Sequence, residues 1–316
     1  MKVDGKLDNW DKIKDGIPTN ILLIHTPEST EKTGIQWSDI LKTTSEISTL
    51  PQPKPSDIAT IVYTSGTTGM PKGVMINYGG IETGINMARE IALLDLADTR
   101  FISYLPLCHI AERNFVEFSA TAAGGTIYFV ENLDTFSTNL ASARPTHFLA
   151  VPRIWAKFQE GILQKIGGQK KLNLLLSIPI VKNIIQKKIQ KGLGLDCAKL
   201  TVTGAAPISE ELMVWFQKLG IFIQEAYGMT ENMGLTTLMP RNQIKLGTVG
   251  RIHPDCETRI DPISQEIQMR APYNTIGYFK EPSLTQELYT EDGWLKTGDQ
   301  GELSHDGFIS IIGRVK

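Results

Sequence analysis

Tyr63-Thr64-Ser65-Gly66-Thr67-Thr68-Gly69-Met70-Pro71-Lys72-Gly73 is the stretch on which the reading of this chain turns. It follows an apolar run at 58–63 that reads as a buried strand. Three glycines, a run of hydroxyls and one lysine can turn backbone N–H groups, O–H groups and a point charge toward one anion. The spacing is not the Walker pattern, because Gly73 rather than Ser or Thr follows the lysine. Thr64, Ser65, Gly66, Thr67, Thr68, Gly69 and Lys72 therefore suit a polyphosphate, with a flexible surface linker as the alternative.

Working outward, strand and helix signals alternate. A proline-rich linker at 51–56 should be extended. Asn77 is placed to cap a helix with apolar residues at helical spacing from Ile81 to Ala92. Strands are expected at 101–105, 126–130, 147–151, 200–203 and 221–226, with helices at 109–122, 136–143, 153–166 and 210–219 between them. That order predicts an α/β fold, a mainly parallel sheet flanked by helices, with ligands at the carboxyl ends of the strands. From about Lys245 short runs at 266–270, 301–304 and 308–312 are separated by Gly, Pro and Asp turns, which predicts a small antiparallel β subdomain. The expected division is 1–244 and 245–316.

The segment 167–192 is lysine-rich and places Ile180, Val181, Ile184, Ile185 and Ile189 on one helical face. It reads as a surface helix packed on the core, with weak membrane-surface contact as the alternative.

Composition bounds the function. The chain has 316 residues, 41% of them hydrophobic, enough for a large core. A formal charge of −2 gives no global attraction to nucleic acid or anionic lipid. Cys108, Cys197 and Cys256 lie far apart without a CxxC pair, which argues against a disulfide framework or a zinc site and suits a reducing cytoplasm. The first residues lack the apolar core of a signal peptide, and no run reaches transmembrane length.

Further motifs follow in order: Ser103-Tyr104-Leu105-Pro106-Leu107-Cys108-His109, Thr203-Gly204-Ala205-Ala206-Pro207, Glu225-Ala226-Tyr227-Gly228-Met229-Thr230-Glu231, Asp292-Gly293-Trp294-Leu295-Lys296-Thr297-Gly298-Asp299 and Gly313-Arg314-Val315-Lys316. With the opening loop they resemble the adenylate-forming (AMP-binding) enzymes, from about Asp57 to the last residue. The resemblance implies ATP and Mg²⁺, a carboxylic acid activated as its acyl-adenylate, and coenzyme A as cosubstrate. It places Gly204, Ala205 and Ala206 against adenine, stacks Tyr227 on that base, sets Gly228 in the same turn, and puts Thr230 near the α-phosphate. Glu231 would hold Mg²⁺, Asp299 and Arg314 the ribose hydroxyls, and His109 would border the acyl pocket and phosphate site. The chemistry is apt, since an aromatic face suits a base, a carboxylate a hard cation, and a guanidinium fork a diol. A core tyrosine and a helix-capping glutamate would account for the same motif taken alone, and a lone histidine at a strand-to-helix junction is often structural. Cys108 beside His109 is not expected to be a thiol nucleophile, because no orienting third group is evident.

Leu105-Pro106-Leu107-x-His109-Ile110-Ala111-Glu112-Arg113, Val151-Pro152-Arg153-Ile154-Trp155 and Leu246-Gly247-Thr248-Val249-Gly250 look most like the long-chain fatty acyl-CoA synthetases. An apolar acyl tunnel is expected near Phe222, Met229, Met233 and Leu235. The alternatives are a non-catalytic nucleotide- or acyl-adenylate-binding fragment, half of a split enzyme, or an adenylate-forming ligase for a different carboxylic acid. Against the family pattern, the start of the large domain and the small C-terminal domain with its lysine are missing. A complementing chain or a homo-oligomer would then cover an exposed sheet edge.

Overall fold

In a computed structural model of the chain, residues 24–25, 34–44, 49–64, 70–95 and 97–315 are described. The chain divides into two compact units, Met1–Gln52 and Pro53–Lys316. In the first, β1 (Ile24–His25) pairs in parallel with β2 (Ile35–Gln36), and α1 (Trp37–Thr43) follows.

The second unit opens with a hairpin whose first strand is not the buried one expected at 58–63. Only Val62 in it is buried, while Ile58 and Tyr63 are exposed at the sheet surface. β3 (Ile58–Thr64) runs antiparallel to β4 (Lys72–Asn77), with Thr64 opposite Lys72. β4 was not legible as a strand in the sequence. Asn77 ends it and caps α2 (Tyr78–Ile91), its side chain accepting from Gly80 N at 2.7 Å.

β5 (Arg100–Ser103) leads into a helical stretch whose middle, Glu112–Phe118, is a π-helix continuing into α3 (Ser119–Ala123). β6 (Thr126–Phe129) pairs in parallel with β5. Then come α4 (Phe136–Ala143), β7 (His147–Leu149), α5 (Pro152–Ile166), α6 (Gln169–Ser177), α7 (Pro179–Leu193), β8 (Leu200–Thr203), α8 (Glu210–Gln217) and β9 (Ile223–Tyr227). β7, β8 and β9 are parallel, and the separate two-stranded β5–β6 sheet is tied to the start of β7 by Thr146 N donating to Arg100 O at 3.0 Å. This is the expected parallel array with helices in the crossovers. Two short strands, β10 (Thr237–Leu238) and β11 (Arg251–Ile252), add antiparallel to its β9 edge.

The antiparallel part is also present. β12 (Glu257–Ile260), β13 (Glu266–Arg270), β15 (Leu295–Leu303) and β16 (Ile309–Arg314) form one four-stranded sheet in that order. β14 (Gly277–Tyr278) instead joins β4, making a three-stranded sheet β14-β4-β3, and α9 (Pro282–Leu288) follows it.

The largest core cluster lies around β7–β9 and their helices, where Trp155, Phe148 and Phe216 are fully buried and meet edge to face. α7 is pinned by its last turn. Gly194 has φ +75°, and a Cβ there would sit 2.2 Å from Leu140 O, so only glycine lets α7 close on α4. The apolar stripe expected on α7 is split. Ile185 and Ile189 pack on the core, whereas Ile180 (77%) and Ile184 (59%) stay exposed. No helix among the described residues is long and apolar enough to cross a membrane.

Candidate functional site

The carboxyl ends of β8 and β9 open into a crevice of about 140 Å³. Gly204 and Ala205 leave β8 there, with Ala205 in the left-handed region at φ +64°, and Gly228 leaves β9. Their small size is required by close backbone approach. A Cβ on Gly204 would lie 2.9 Å from Ala226 O, and one on Gly228 would lie 2.3 Å from the Gly234 carbonyl carbon. The Gly204 turn thus packs on the end of β9, and the Gly228 turn on the Gly234 turn. Ala206 belongs to the same turn but is exposed.

His109 lines the crevice from the other side, with its Nδ1 accepting from Ala111 N at 3.2 Å. Burial lowers its pKa, so the imidazole is neutral around pH 7. Cys108 beside it is exposed and all three cysteines are free. Met233 and Leu235 wall the crevice as expected, but Phe222 is 37% exposed and outside it. Phe222 was expected inside the strand 221–226. The strand instead begins after it, leaving its ring at the surface.

Beside the crevice a polar chain crosses two sheets. Tyr227 Oη donates to Asp299 Oδ2 at 2.8 Å, and Arg314 Nη1 donates to Asp299 Oδ1 at 2.6 Å. Asp299 and Arg314 are direct partners in the β15–β16 ladder. Burial, then the Asp299 charge, pushes the Tyr227 hydroxyl far above its ordinary pKa, so it remains a donor. Asp299 is thus held between a phenol and a guanidinium, with Arg314 largely exposed.

A second chain joins the hairpin to the turn after β9. Thr230 and Glu231 sit in a single 3₁₀ turn, Thr230–Asn232. Glu231 is buried, its Oε1 accepting from Tyr278 Oη at 2.7 Å, while Oε2 takes no hydrogen bond among the described residues. The Tyr278 ring in turn lies under Lys72, with Nζ 5.1 Å from the ring centroid. Burial, then Glu231, raises the Tyr278 pKa, so its O–H is kept for that bond. Tyr278 was not singled out from the sequence. Nothing local marks it, since its partners lie 47 and 206 positions away. Ser65, Gly66, Thr67, Thr68 and Gly69 lie outside the described residues, while Thr64 and Lys72 frame their loop as the last hydrogen-bonded pair of the hairpin.

Three further buried groups escaped the sequence reading. Asn114 stands on the π-helix, donates to Met233 O at 2.9 Å and leaves Oδ1 buried without a partner at the crevice. A π-helix widens one turn and is a recurrent way to turn a side chain into a site. His253 also lines the crevice, and burial pushes its pKa down to about 4. Glu225 on β9 is nine-tenths buried, and burial, with the Glu210 charge, pushes its pKa up to about 7.

No group of three or more His, Cys, Asp or Glu side chains is arranged to hold a metal among the described residues. Glu231 alone fits a cation that keeps its waters and takes most of its ligands from phosphate, which is the habit of Mg²⁺.

A sheet-borne crevice with glycine turns at two strand ends and polar chains leading from it defines a nucleotide-handling α/β enzyme class. The chain belongs to the AMP-binding enzyme family, which it matches over residues 5–278. It is 33% identical over 298 residues to the long-chain-fatty-acid–CoA ligase ACSBG2 of Gallus gallus, covering 83% of this chain and 39% of that protein. It is 32% identical over 305 residues to long chain acyl-CoA synthetase 3 of Arabidopsis thaliana, covering 84% and 46%. Among solved structures, ATP-bound MatB from Rhodopseudomonas palustris superposes with a TM-score of 0.69 at 25% identity, over 88% of this chain and 52% of that one. The chain therefore spans half or less of the length of these curated relatives.

Proposed function

We propose that this chain is the ATP- and acyl-binding part of a long-chain fatty acid–CoA ligase that works through an acyl-adenylate. The observation that carries the reading is the pair of polar chains beside one crevice, Lys72–Tyr278–Glu231 and Tyr227–Asp299–Arg314. Family membership and the names of the relatives support it.

A carboxylate repels nucleophiles, so it is activated by attack of its oxygen on the α-phosphate of ATP, with pyrophosphate leaving. The site must hold two anions together and offset charge on the departing group. In this reading Thr64, Ser65, Gly66, Thr67, Thr68, Gly69 and Lys72 hold the β and γ phosphates. Tyr227 and the Gly204-Ala205-Ala206 turn take the adenine, with Gly228 giving room. Asp299 and Arg314 take the ribose hydroxyls, and Thr230 the α-phosphate. Glu231 would hold Mg²⁺, which when bound supplies charge neutralisation across the phosphates. Neutral His109 borders the carboxylate, and the acyl chain follows Met233 and Leu235. Coenzyme A is the acceptor in the whole enzyme, which works in the cytoplasm.

Fatty-acid-dependent ATP–pyrophosphate exchange tests this, with palmitate and oleate against acetate and benzoate, alongside calorimetric ATP titration. Exchange confined to the long chains is expected if this part suffices for adenylation. Binding of ATP without exchange would restrict the chain to a nucleotide-binding role, and exchange with benzoate alone would reassign the acid. Failure of a folded sample to bind ATP would overturn the proposal.

A further inference from the structure

Sharing no lining residue with the crevice, a second cavity of about 390 Å³, larger than the crevice itself, is lined by α4, α5 and α7. That volume lies within the range of small-molecule sites, roughly 300–1,000 Å³. Its floor is apolar, with Leu140, Phe158 and Ile162 buried and Ile185 and Ile189 packed beside them.

Two features set it apart from an ordinary seam between helices. First, Lys157, Gly161 and Lys165 fall at i, i+4 and i+8 on α5, and Lys188 and Gly192 repeat the pattern on α7. Both glycines are inside helices, where glycine is unfavourable. Neither has a positive φ, and a Cβ added to either would meet nothing within 4 Å. No turn or close contact requires them, unlike Gly194; what they do is leave room in the cavity. Second, the three lysines form no ion pair among the described residues, and no acid lines the cavity. From 152 to 193 the chain carries nine Lys or Arg and a single acid, Glu160, although its overall charge is −2. Lysine stems lie along apolar walls while their heads stay in water, so the rim presents three ammonium groups above a greasy slot.

We infer that this cavity is a second ligand site, which takes one long-chain acyl anion, its chain along the glycine-opened floor and its anionic head among Lys157, Lys165 and Lys188. The apolar slot and its lysine rim stand apart from the crevice, while the choice of an acyl anion rests on the proposed function. The head is either the carboxylate of a free acid or the phosphates of its coenzyme A thioester.

Equilibrium dialysis of labelled laurate and lauroyl-CoA against the full chain tests it. The variants are Gly161→Leu with Gly192→Leu, which fills the slot with better helix formers, and Lys157→Glu with Lys165→Glu. Each pair is expected to weaken binding of the preferred probe at least tenfold at one class of site, with ATP affinity unchanged. Dodecyltrimethylammonium should not compete at that site. Whichever probe binds more tightly identifies the head group. Unchanged binding in both pairs, or equal competition by the cationic amphiphile, would overturn the inference. So would recruitment to phosphatidylglycerol vesicles without uptake of either monomeric probe, which would make this face a membrane contact.

Discussion

Tyr278 links two groups that the sequence singled out separately. Its hydroxyl reaches Glu231 and its ring carries Lys72, so one side chain sets the spacing between a carboxylate and an ammonium. A hydrogen bond to a charged group contributes about 1.5–3 kcal/mol. Tyr278→Phe keeps the ring and removes the bond, leaving buried Glu231 without it, so the melting temperature should fall by a few degrees and ATP affinity about tenfold at limiting Mg²⁺. Calorimetric ATP titration at several Mg²⁺ concentrations checks this, and an unchanged affinity would show that Glu231 needs no such support. Glu231, Tyr227 and Asp299 were legible because each stands in a short contiguous motif. Tyr278, Asn114 and His253 were not, because a contact made only by folding leaves no mark on neighbouring residues.

At the scale of elements, capping and glycine punctuation carried most of the legible signal. The helix Phe136–Ala143 and the strands Leu200–Thr203 and Glu266–Arg270 fall where the pattern put them. Asn77 caps α2 as read, and Asn77→Ala should cost about 1 kcal/mol, seen as a lower urea midpoint with unchanged slope. The strand Ile58–Thr64 was also legible, but its partner was not. Lys72–Asn77 is short and bounded by the loop and a cap, and local pattern does not say which sheet a strand joins. The π-helix likewise hides inside an ordinary helical spacing. The turn after β9 gives a stronger prediction: Gly228→Ala drives a methyl into the Gly234 backbone and should cost about 3 kcal/mol. Thermal melting would show it, and a variant as stable as the parent would mean the two turns can part freely.

For the molecule as a whole, two buried titratable groups act in opposite directions. Glu225 has a folded pKa of about 7 against 4.5, so the folded chain binds that proton more tightly. Its contribution to stability falls as pH rises from about 4.5 to about 7. His253 has a folded pKa of about 4 against 6.5, so its contribution is lost as pH falls from about 6.5 to about 4. The two slopes oppose each other where the windows overlap. Melting curves across pH should separate them. Glu225→Gln should gain on the parent as pH climbs through 4.5–7, and a replacement of His253 by Gln should gain as pH drops through 6.5–4. Parallel curves for parent and variants would mean that neither group is desolvated as its burial implies.

In the proposed function Lys72 on the β3–β4 hairpin, the glycine turns after β8 and β9, and Asp299 with Arg314 on β15–β16 all face one nucleotide. Three separate sheets thus each offer one portion of a grip, and a nucleotide held by all of them would rivet them together. Occupancy then becomes a structural member. Saturation at a hundred times the dissociation constant should add about 2.7 kcal/mol to global stability. Hydrogen exchange should slow at all three sheets together, because such a rivet tightens every plate it passes through.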